Sequence, residues 1–232
     1  MQQEFSRTAL LLGEEAIKKL SKSRVAVFGL GGVGGYALEA LARCGVGTLD
    51  LIDADTVSVI NINRQILALH STVGRLKTEV AAERIKQINP LICANERNIF
   101  FDVNTCDSFD FTKYDYVVDA IDTVTSKILL IERCKAAKTP VISCMGTGNK
   151  LDPTGFKVAD ISKTKTCPLS RILRHELKKR GIENVKVVYS EEQPKTTTID
   201  EGGRHAPASV SFVPPAAGFL LASEVVKDII NG

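Results

Sequence analysis

The chain has 232 residues, and 44% of them are hydrophobic, which is enough apolar material for one large domain with a buried core. The net charge of +3 permits a nucleic-acid partner but is lower than a dedicated nucleic-acid binder usually carries. The six cysteines contain no C-x-x-C pair, so neither a zinc ribbon nor a thioredoxin-type dithiol is predicted. Because neither a signal peptide nor a membrane span is evident, we expect a cytoplasmic protein with no membrane partner.

The N-terminal half predicts alternating strands and helices. Residues 24–29 and 48–53 are short apolar runs, typical of strands that are buried on both faces. Between them, residues 33–44 repeat apolar side chains at helical spacing, and the glycines that follow predict the end of a helix. A second helical pattern covers residues 74–88 and stops at an Asn-Pro pair.

Two further strands are predicted at residues 115–122 and 140–146, with a helical segment from about 126 to 138 between them. Strands that alternate with helices in this way form βαβ units. The predicted fold class is therefore α/β, with a doubly wound, mostly parallel sheet of the Rossmann-like type.

The pattern changes after residue 148. We predict a nucleotide-binding domain with an N-terminal helix over residues 1–148 and an added C-terminal lobe over residues 149–232. Within the lobe we expect a basic helix, RILRHELKKRG, a strand-like segment, a polar loop from about residue 191 to 207, and a late apolar core helix.

A glycine-rich stretch, GLGGVG, follows the first predicted strand and opens a helix, which is the context of a phosphate-binding loop. Asp53 ends the next strand, where a carboxylate can accept hydrogen bonds from ribose hydroxyls. These features predict a nucleotide site without identifying the nucleotide. An NAD-dependent enzyme therefore stays open, although none of the three histidines has a partner motif for proton transfer.

Charged residues beyond the glycine loop favour phosphate chemistry over hydride transfer. Arg64 and Lys77 are two cations that could converge on a triphosphate, and Asp122, at the end of a strand, could hold magnesium. Each of these residues alone could equally be a solvated charge or part of a salt bridge.

The order in which these residues and the glycine loop follow one another along the chain makes the prediction of phosphate chemistry specific. The run GLGGVG, DADTVSVININRQ, VGRLKTE, INP and DAID resembles the adenylating domain of the ubiquitin-activating-enzyme superfamily over about residues 5 to 148. The resemblance implies an ATP site formed by Gly29, Gly31, Gly32, Gly34, Asp53, Asp55, Asn61, Arg64, Gln65 and Lys77. It further implies catalytic roles for Arg7, Arg64, Lys77 and Asp122, with Asp122 as the magnesium ligand. Because Arg7 matches an arginine that family dimers insert into the neighbouring subunit's ATP site, a homodimer is expected.

The second half resembles the bacterial tRNA threonylcarbamoyladenosine dehydratases in the stretches SCMGTGNKLDPTGFKVADISKTKTCPL, VVYSEEQP and SFVPPAAG. The resemblance implies that ATP activates the threonyl carboxylate of threonylcarbamoyladenosine in tRNA as an adenylate. The nucleoside then cyclises with loss of water, and AMP and pyrophosphate leave. It also suggests a monovalent cation as a further cofactor and a cysteine desulfurase or other sulfur acceptor as a partner.

Three other functions stay open. An adenylyltransferase for a ubiquitin-like sulfur carrier would use the same ATP residues on a C-terminal Gly-Gly, but that branch commonly carries two C-x-x-C pairs, which this chain lacks. A non-catalytic nucleotide-sensing or sulfur-relay scaffold would not need all of Arg64, Lys77 and Asp122. A hydride-transferring NAD enzyme is the third.

Two features of the C-terminal lobe allow separate hypotheses. Arg171, Arg174 and Lys178 fall on one helix face, so we predict that they contact tRNA phosphates; a solvated basic helix is the alternative. Cys167 lies roughly where some superfamily members carry a thioester-forming cysteine. A dehydratase needs no protein nucleophile, so a structural role for Cys167 is favoured, while nearby lysines leave catalysis open.

Overall fold

The computed structural model describes residues 3–196, 198–201 and 204–232, and in this part of the chain nine strands form two sheets. The larger sheet contains β1 (Arg24–Phe28), β2 (Thr48–Ile52), β3 (Cys93–Arg97), β4 (Tyr116–Asp119), β5 (Val141–Cys144), β6 (Phe156–Asp160) and β7 (Lys186–Ser190). The smaller sheet is a hairpin of β8 (Thr198–Glu201) and β9 (Arg204–Pro207). The strand order of the larger sheet is β3-β2-β1-β4-β5-β7-β6. Only β6 is antiparallel to its neighbour, so the predicted doubly wound, mostly parallel sheet is confirmed.

Helices cover both faces of the larger sheet. They are α1 (Ser6–Leu12), α2 (Glu14–Lys22), α3 (Gly34–Arg43), α4 (Lys77–Ile88), α5 (Val124–Ala137), α6 (Pro168–Lys179) and α7 (Val213–Asn231). One face packs against α2, α3, α4 and α7, and the other against α5 and α6. No helix in the described ranges is long and apolar enough to cross a lipid bilayer.

The central strand β1 shows why the sequence folds in this way. Val25 and Val27 point into the core beneath α3 and α7, whereas Ala26 and Phe28 point into the core beneath α5. All four side chains are fully buried because successive strand residues face opposite sides and both sides carry helices. The Phe28 ring completes an aromatic cluster with rings from the segment between β3 and β4.

The residues after the predicted boundary at 148 extend the same sheet. Strands β6 and β7 join it beside β5, and α7 packs along α3, where the Tyr36 and Phe219 rings meet edge to face at 5.6 Å. The C-terminal lobe therefore shares its core with the nucleotide-binding domain in the described residues.

The prediction of a polar loop from about residue 191 to 207 was wrong for its second part. The hairpin of β8 and β9 lies in this stretch, because antiparallel backbone pairing does not require apolar side chains. Strand β3 was not predicted either: it is an edge strand of mixed exposure, CANER, without the apolar run of the inner strands. The side chains of residues 197–206 lie outside the described residues.

Candidate active site

The nucleotide motifs meet at the carboxyl edge of the sheet. Gly29 follows β1, Asp53 follows β2, and Asp122 follows β4 after a short turn. The chain adds β2 and β3 on one side of β1 and then crosses to add β4 on the other side. In doubly wound sheets the ligand crevice lies at such a reversal of strand order, so the topology locates the candidate site at the ends of β1 and β4.

The glycine loop is built so tightly that side chains would not fit. Gly29 has a φ of 88°, and a Cβ atom on it would lie 2.7 Å from the Ala120 carbonyl oxygen. A Cβ on Gly34, the first residue of α3, would lie 1.8 Å from the Gly29 carbonyl oxygen. The loop therefore reaches α3 by a path that only glycine allows, and the Gly35 N–H closes it by donating to the Gly31 carbonyl at 3.0 Å. The N-terminal end of a helix in this position favours an anion.

The same loop lies against the segment that carries Arg64 and Gln65. A Cβ placed on Gly32 would lie 3.3 Å from the Arg64 carbonyl oxygen, and one placed on Gly31 would lie 3.8 Å from Gln65 Nε2. The Gln65 Oε1 atom is buried and has no hydrogen-bond partner among the described residues. A buried polar atom without a partner is costly, so this cleft is suited to a ligand that supplies a donor.

Asp53 connects the glycine loop to β2. Its Oδ2 atom accepts a hydrogen bond of 2.6 Å from the Leu30 N–H, and its Oδ1 atom accepts one of 2.8 Å from the Asp55 N–H. Burial raises the pKa of the Asp53 carboxyl, and the Lys77 ammonium, 3.6 Å from Oδ1, opposes this rise. Asp53 is thus a largely buried carboxylate beside the loop, and its contact with a ribose stays a prediction.

Lys77 begins α4 with only 6% of its side chain exposed. Its ammonium lies 2.7 Å from Oδ2 of Asp55, and the backbone N–H of Lys77 donates to the Asp55 carbonyl. Two carboxylates thus hold this cation in place beside the loop. The predicted phosphate contact would require the ammonium to exchange the exposed Asp55 carboxylate for a phosphate oxygen.

Asn61 and Arg64 have different positions in the predicted cluster. Asn61 is buried, and its Oδ1 atom accepts the Ser58 N–H at 3.0 Å, so it shapes the turn that presents Arg64. The Arg64 Nη1 atom donates to the Ile60 carbonyl and to Asn63 Oδ1. No carboxylate pairs with Arg64 among the side chains that the structure describes, so its charge is available to an anion.

Asp122 is exposed at the end of the turn after β4. Its Oδ1 atom accepts a hydrogen bond of 3.3 Å from the Thr123 hydroxyl, and no cation pairs with it among the described side chains. The described residues contain no cluster of three metal-ligating side chains. Magnesium commonly binds through one or two carboxylates together with water and substrate phosphates, so a single carboxylate at this edge fits that ion.

A buried ion pair that was not predicted from the sequence lies directly behind this turn. Asp119 ends β4, and its Oδ1 atom lies 2.9 Å from the ammonium of Lys127 on α5, with both side chains 0% exposed. The Ser143 hydroxyl donates to Oδ2 at 2.6 Å, and the Ile121 N–H donates to Oδ1 at 3.1 Å. The signal was available, since Lys127 is a charged residue on the apolar face of a predicted helix.

Arg7 lies far from this chain's own candidate site. Phe5, two residues before it, packs against Gly45, which lies just ahead of β2 and therefore at the amino edge of the sheet. The helix that carries Arg7 leaves Leu10 and Leu11 89% and 85% exposed. The structure thus does not bring Arg7 together with the other predicted catalytic residues within one chain.

The residues predicted to contact tRNA divide into two kinds. Arg171 and Lys178 are exposed on α6 and have no ion-pair partner among the described side chains. The Arg174 Nη1 atom instead donates to the carbonyl and hydroxyl oxygens of Thr164, at 2.8 and 2.7 Å. Cys167, just before α6, is 3% exposed and packs in an apolar cluster.

Comparison with known proteins places this site in a family. The tRNA threonylcarbamoyladenosine dehydratase of Bacillus subtilis (strain 168) is 42% identical over 244 residues, which cover 100% of this chain and 96% of the relative. The corresponding protein of Escherichia coli (strain K12) is 44% identical over 76% of this chain and 66% of its own length.

A solved structure matches the fold over its whole extent. The crystal structure of the Escherichia coli tRNA N6-threonylcarbamoyladenosine dehydratase in complex with ATP aligns with a TM-score of 0.90 and 38% identity, covering 99% of this chain and 94% of that chain. The family model of ThiF matches residues 5–231, and the chain therefore belongs to the ThiF family.

Proposed function

We propose that this chain is an ATP-dependent tRNA threonylcarbamoyladenosine dehydratase that activates the threonyl carboxylate by adenylation. The observation that carries the proposal is the meeting of the glycine loop with the Arg64–Gln65 segment, Asp53 and Lys77 at one edge of the sheet. This site occurs in a chain that matches a dehydratase with bound ATP over nearly all of its length.

Each part of the site has a distinct task in adenylation. The carboxylate of the modified nucleoside attacks the α-phosphorus, the bond between the α-phosphorus and the bridging oxygen breaks, and pyrophosphate leaves. The N–H groups at the start of α3, with Arg64 and Lys77, stabilise the charge that develops on the phosphates. Asp53 orients the nucleotide through its ribose.

The second step needs no protein nucleophile. An atom of the same nucleoside that carries a hydrogen attacks the activated carbonyl, gives up that hydrogen as a proton to solvent, and displaces AMP, which is a far better leaving group than hydroxide. Closure within one molecule gains effective concentration. The oxygen lost from the carboxylate leaves with AMP, so the nucleoside is one water lighter. Cys167, which is buried in an apolar cluster, has no part in this sequence.

Magnesium is the proposed second cofactor. It would neutralise charge on the leaving pyrophosphate, and Asp122 would hold it, directly or through water. The Asp122 carboxylate, which is exposed and has no cation partner among the described side chains, supports this assignment. A monovalent cation and a sulfur acceptor stay predictions from the resemblance, without an assigned residue. We place the reaction in the cytoplasm because tRNA is the proposed substrate.

A homodimer would bring Arg7 to the ATP site. The proposal is supported by the distance of Arg7 from its own site and by Leu10 and Leu11, which are exposed on the same helix. It can be tested by mixing two inactive variants, Arg7→Ala and Lys77→Ala, after dissociation. A mixed dimer contains one site with its own Lys77 and the partner's arginine, so activity should return. If neither variant rescues the other, Arg7 does not act across subunits.

The tRNA would lie on α6 through Arg171 and Lys178. Replacing both with alanine should weaken tRNA binding and reduce the slope of log Kd against log salt by about 0.7 to 0.9 per lost phosphate contact. Lys86→Ala, which removes an exposed charge from α4 on the other face of the sheet, is the control. If the Arg171/Lys178 double variant keeps the wild-type salt slope, this face of α6 does not contact tRNA.

The proposed reaction is tested by mass spectrometry of nucleosides from threonylcarbamoyladenosine-bearing tRNA, incubated with the protein, magnesium and ATP. We expect loss of one water, dependent on ATP, with AMP and pyrophosphate in equal amounts. Lys77→Ala should slow this by about 10²- to 10³-fold, as does the loss of one preorganised donor elsewhere. An unchanged nucleoside despite ATP binding would contradict the proposal and favour adenylation of a sulfur-carrier protein.

A further inference from the structure

The buried ion pair of Asp119 and Lys127 has a place in the fold that stability alone does not explain. Both side chains are 0% exposed, and beyond Asp119 the Lys127 ammonium has no hydrogen-bond partner among the described residues. Exchange of a buried ion pair for apolar side chains of similar volume is often neutral or even stabilising. The contacts of the Asp119 carboxylate, rather than its contribution to stability, therefore indicate its role.

The pair closes the turn that carries Asp122, the proposed magnesium ligand. Asp119 is the last residue of β4 and Lys127 lies in the first turn of α5, so the ion pair joins the two elements on either side of the turn. Within the turn, the Ile121 N–H donates to Asp119 Oδ1 at 3.1 Å. At its far end, the Lys127 N–H donates to the Thr123 carbonyl at 3.0 Å. Asp122 thus lies between two points that the buried pair holds together.

The same turn packs on both ends of the glycine loop. The Ala120 carbonyl oxygen lies 2.7 Å from a Cβ placed on Gly29, and the Ala120 Cβ lies 3.2 Å from one placed on Gly34. The backbone nitrogen of Ile121 lies 3.1 Å from the Cβ position on Gly29. This nitrogen is the one whose N–H donates to Asp119. The peptide that Asp119 orients is therefore the peptide that lies against the loop.

Lys127 and Ser143 determine how the carboxylate can act. The Ser143 hydroxyl donates to Oδ2 of Asp119 at 2.6 Å, which leaves Oδ1 to Lys127 and to the Ile121 N–H. An ionised carboxylate only accepts hydrogen bonds, whereas a protonated one carries a donor. A neighbouring cation favours the ionised form, so Lys127 keeps both oxygens as acceptors. The Ile121 N–H thus has an acceptor that is itself held in place.

We propose that Asp119 and Lys127 are positioning residues for ATP and its magnesium ion. The buried pair fixes the peptide between Ala120 and Ile121, and this peptide sets the place of the Asp122 carboxylate. The inference rests on the proposed function, in which Asp122 holds magnesium. Neither member of the pair touches the nucleotide, because both side chains are fully buried. Their effect passes through the turn, so we expect it in the metal dependence of ATP binding.

The test is the factor by which magnesium tightens ATP binding, which is the ratio of the ATP Kd in EDTA to that in saturating magnesium, measured without tRNA. We expect a factor of about 10 in the wild type, the size of one contact between charged groups, and of about 1 in Asp122→Ala. A loss of stability alone would weaken ATP binding equally in both solutions. It would leave the factor unchanged.

Two variants without the buried charges separate positioning from stability. Asp119→Asn/Lys127→Met keeps Oδ1 as an acceptor for the Ile121 N–H, and its amide can donate to the Ser143 hydroxyl. Asp119→Val/Lys127→Met/Ser143→Ala removes this acceptor and leaves no polar side chain at the three positions. The first variant should keep the wild-type factor, and the second should fall to the factor of Asp122→Ala. Equal factors in the two variants overturn the proposal.

Hydrogen exchange of the wild type tests the contact itself and needs no variant. The Ile121 amide should exchange slowly, since exchange requires the hydrogen bond to the buried carboxylate to open. Exchange resolved by residue with NMR measures this directly. If the Ile121 amide exchanges as fast as an amide of an unfolded peptide, Asp119 does not hold the turn and the proposal fails.

Failure of this inference is distinguishable from failure of the proposed function. The same wild-type preparation is assayed with threonylcarbamoyladenosine-bearing tRNA. Conversion of the nucleoside, combined with equal magnesium factors in the two variants, removes only the positioning role. Magnesium factors that follow the acceptor, without conversion, retain the positioning role and remove the dehydratase assignment. A wild type whose ATP binding does not respond to magnesium overturns the positioning role, and the conversion assay then decides the function separately.

Discussion

Replacing Lys127 with methionine should destabilise the protein, because the change leaves the Asp119 carboxylate buried without its counter-charge. Both side chains are 0% exposed, and the ammonium lies 2.9 Å from Asp119 Oδ1. The remaining donors, the Ser143 hydroxyl and the Ile121 N–H, carry no charge. Breaking a buried pair by removing one partner costs about 3 to 5 kcal/mol. For a chain of this size each kcal/mol lowers Tm by about 2 to 4 °C, so we expect a fall of about 6 to 20 °C.

Chemical denaturation of three variants would test this reasoning. The double variant Asp119→Asn/Lys127→Met removes both charges and should recover most of the loss, since a neutral buried pair avoids the desolvation of an isolated charge. Lys86→Met, an exposed lysine exchanged in the same way, should change the free energy of unfolding by less than about 0.5 kcal/mol. A single Lys127→Met variant within about 1 kcal/mol of the wild type would refute the argument that this pair is energetically coupled.

The pH dependence of the Lys127→Met variant gives an independent check. Burial already raises the pKa of the Asp119 carboxyl, and Lys127 opposes that rise. Without Lys127 the pKa rises further, so the folded variant can take up a proton that the unfolded chain does not hold. Its deficit in unfolding free energy should therefore be largest at neutral pH and narrow as the pH falls through the raised folded-state pKa toward the ordinary value of 3.8. A deficit that widens on acidification would contradict this sign.

Three further predictions concern other parts of the structure. Gly34→Ala should abolish ATP binding and lower stability by about 1 to 3 kcal/mol, because its Cβ would lie 1.8 Å from the Gly29 carbonyl oxygen; ATP binding at wild-type strength would show that the loop can move aside. Burial raises the pKa of the Cys144 thiol to about 12, whereas Cys93 is exposed, so peptide mapping after brief alkylation of the folded protein should find Cys93 modified and Cys144 intact. Burial opposes ionisation of Glu39, but hydrogen bonds from arginines on α3 and α4 outweigh it and lower its pKa below 4.5. Glu39→Gln should therefore cost stability at neutral pH, and this cost should disappear as the pH falls through the folded-state pKa.

Local patterns were sufficient to predict the inner strands and the tight glycine turn after β1. A strand buried on both faces needs a continuous apolar run, as in β1 and β4, and such a run is visible without any tertiary information. The glycine spacing is equally local, since the turn from β1 into α3 leaves no room for a Cβ at Gly29 or Gly34.

Edge elements were harder to predict. Strand β3 has only one inner neighbour, β2, so its side chains are partly exposed and its sequence, CANER, lacks both an apolar run and a clear alternation. The hairpin of β8 and β9 was also missed, because its sequence is polar and pairing between antiparallel backbones does not depend on apolar side chains.

The sequence by itself determined the fold class, the tight glycine turn after β1 and the identity of the polar residues around it, because strand burial and glycine geometry depend on neighbours within a few positions. Tertiary structure alone determined which charged side chains are left without a partner inside the protein. Arg64 has no carboxylate partner among the described side chains, whereas Lys77 is paired with Asp55 and Arg174 is bound to Thr164. Contacts such as that of Asn63 with Ser209 join residues 146 positions apart. Their formation depends on how the helices and strands pack in three dimensions, and no short-range pattern records that distance.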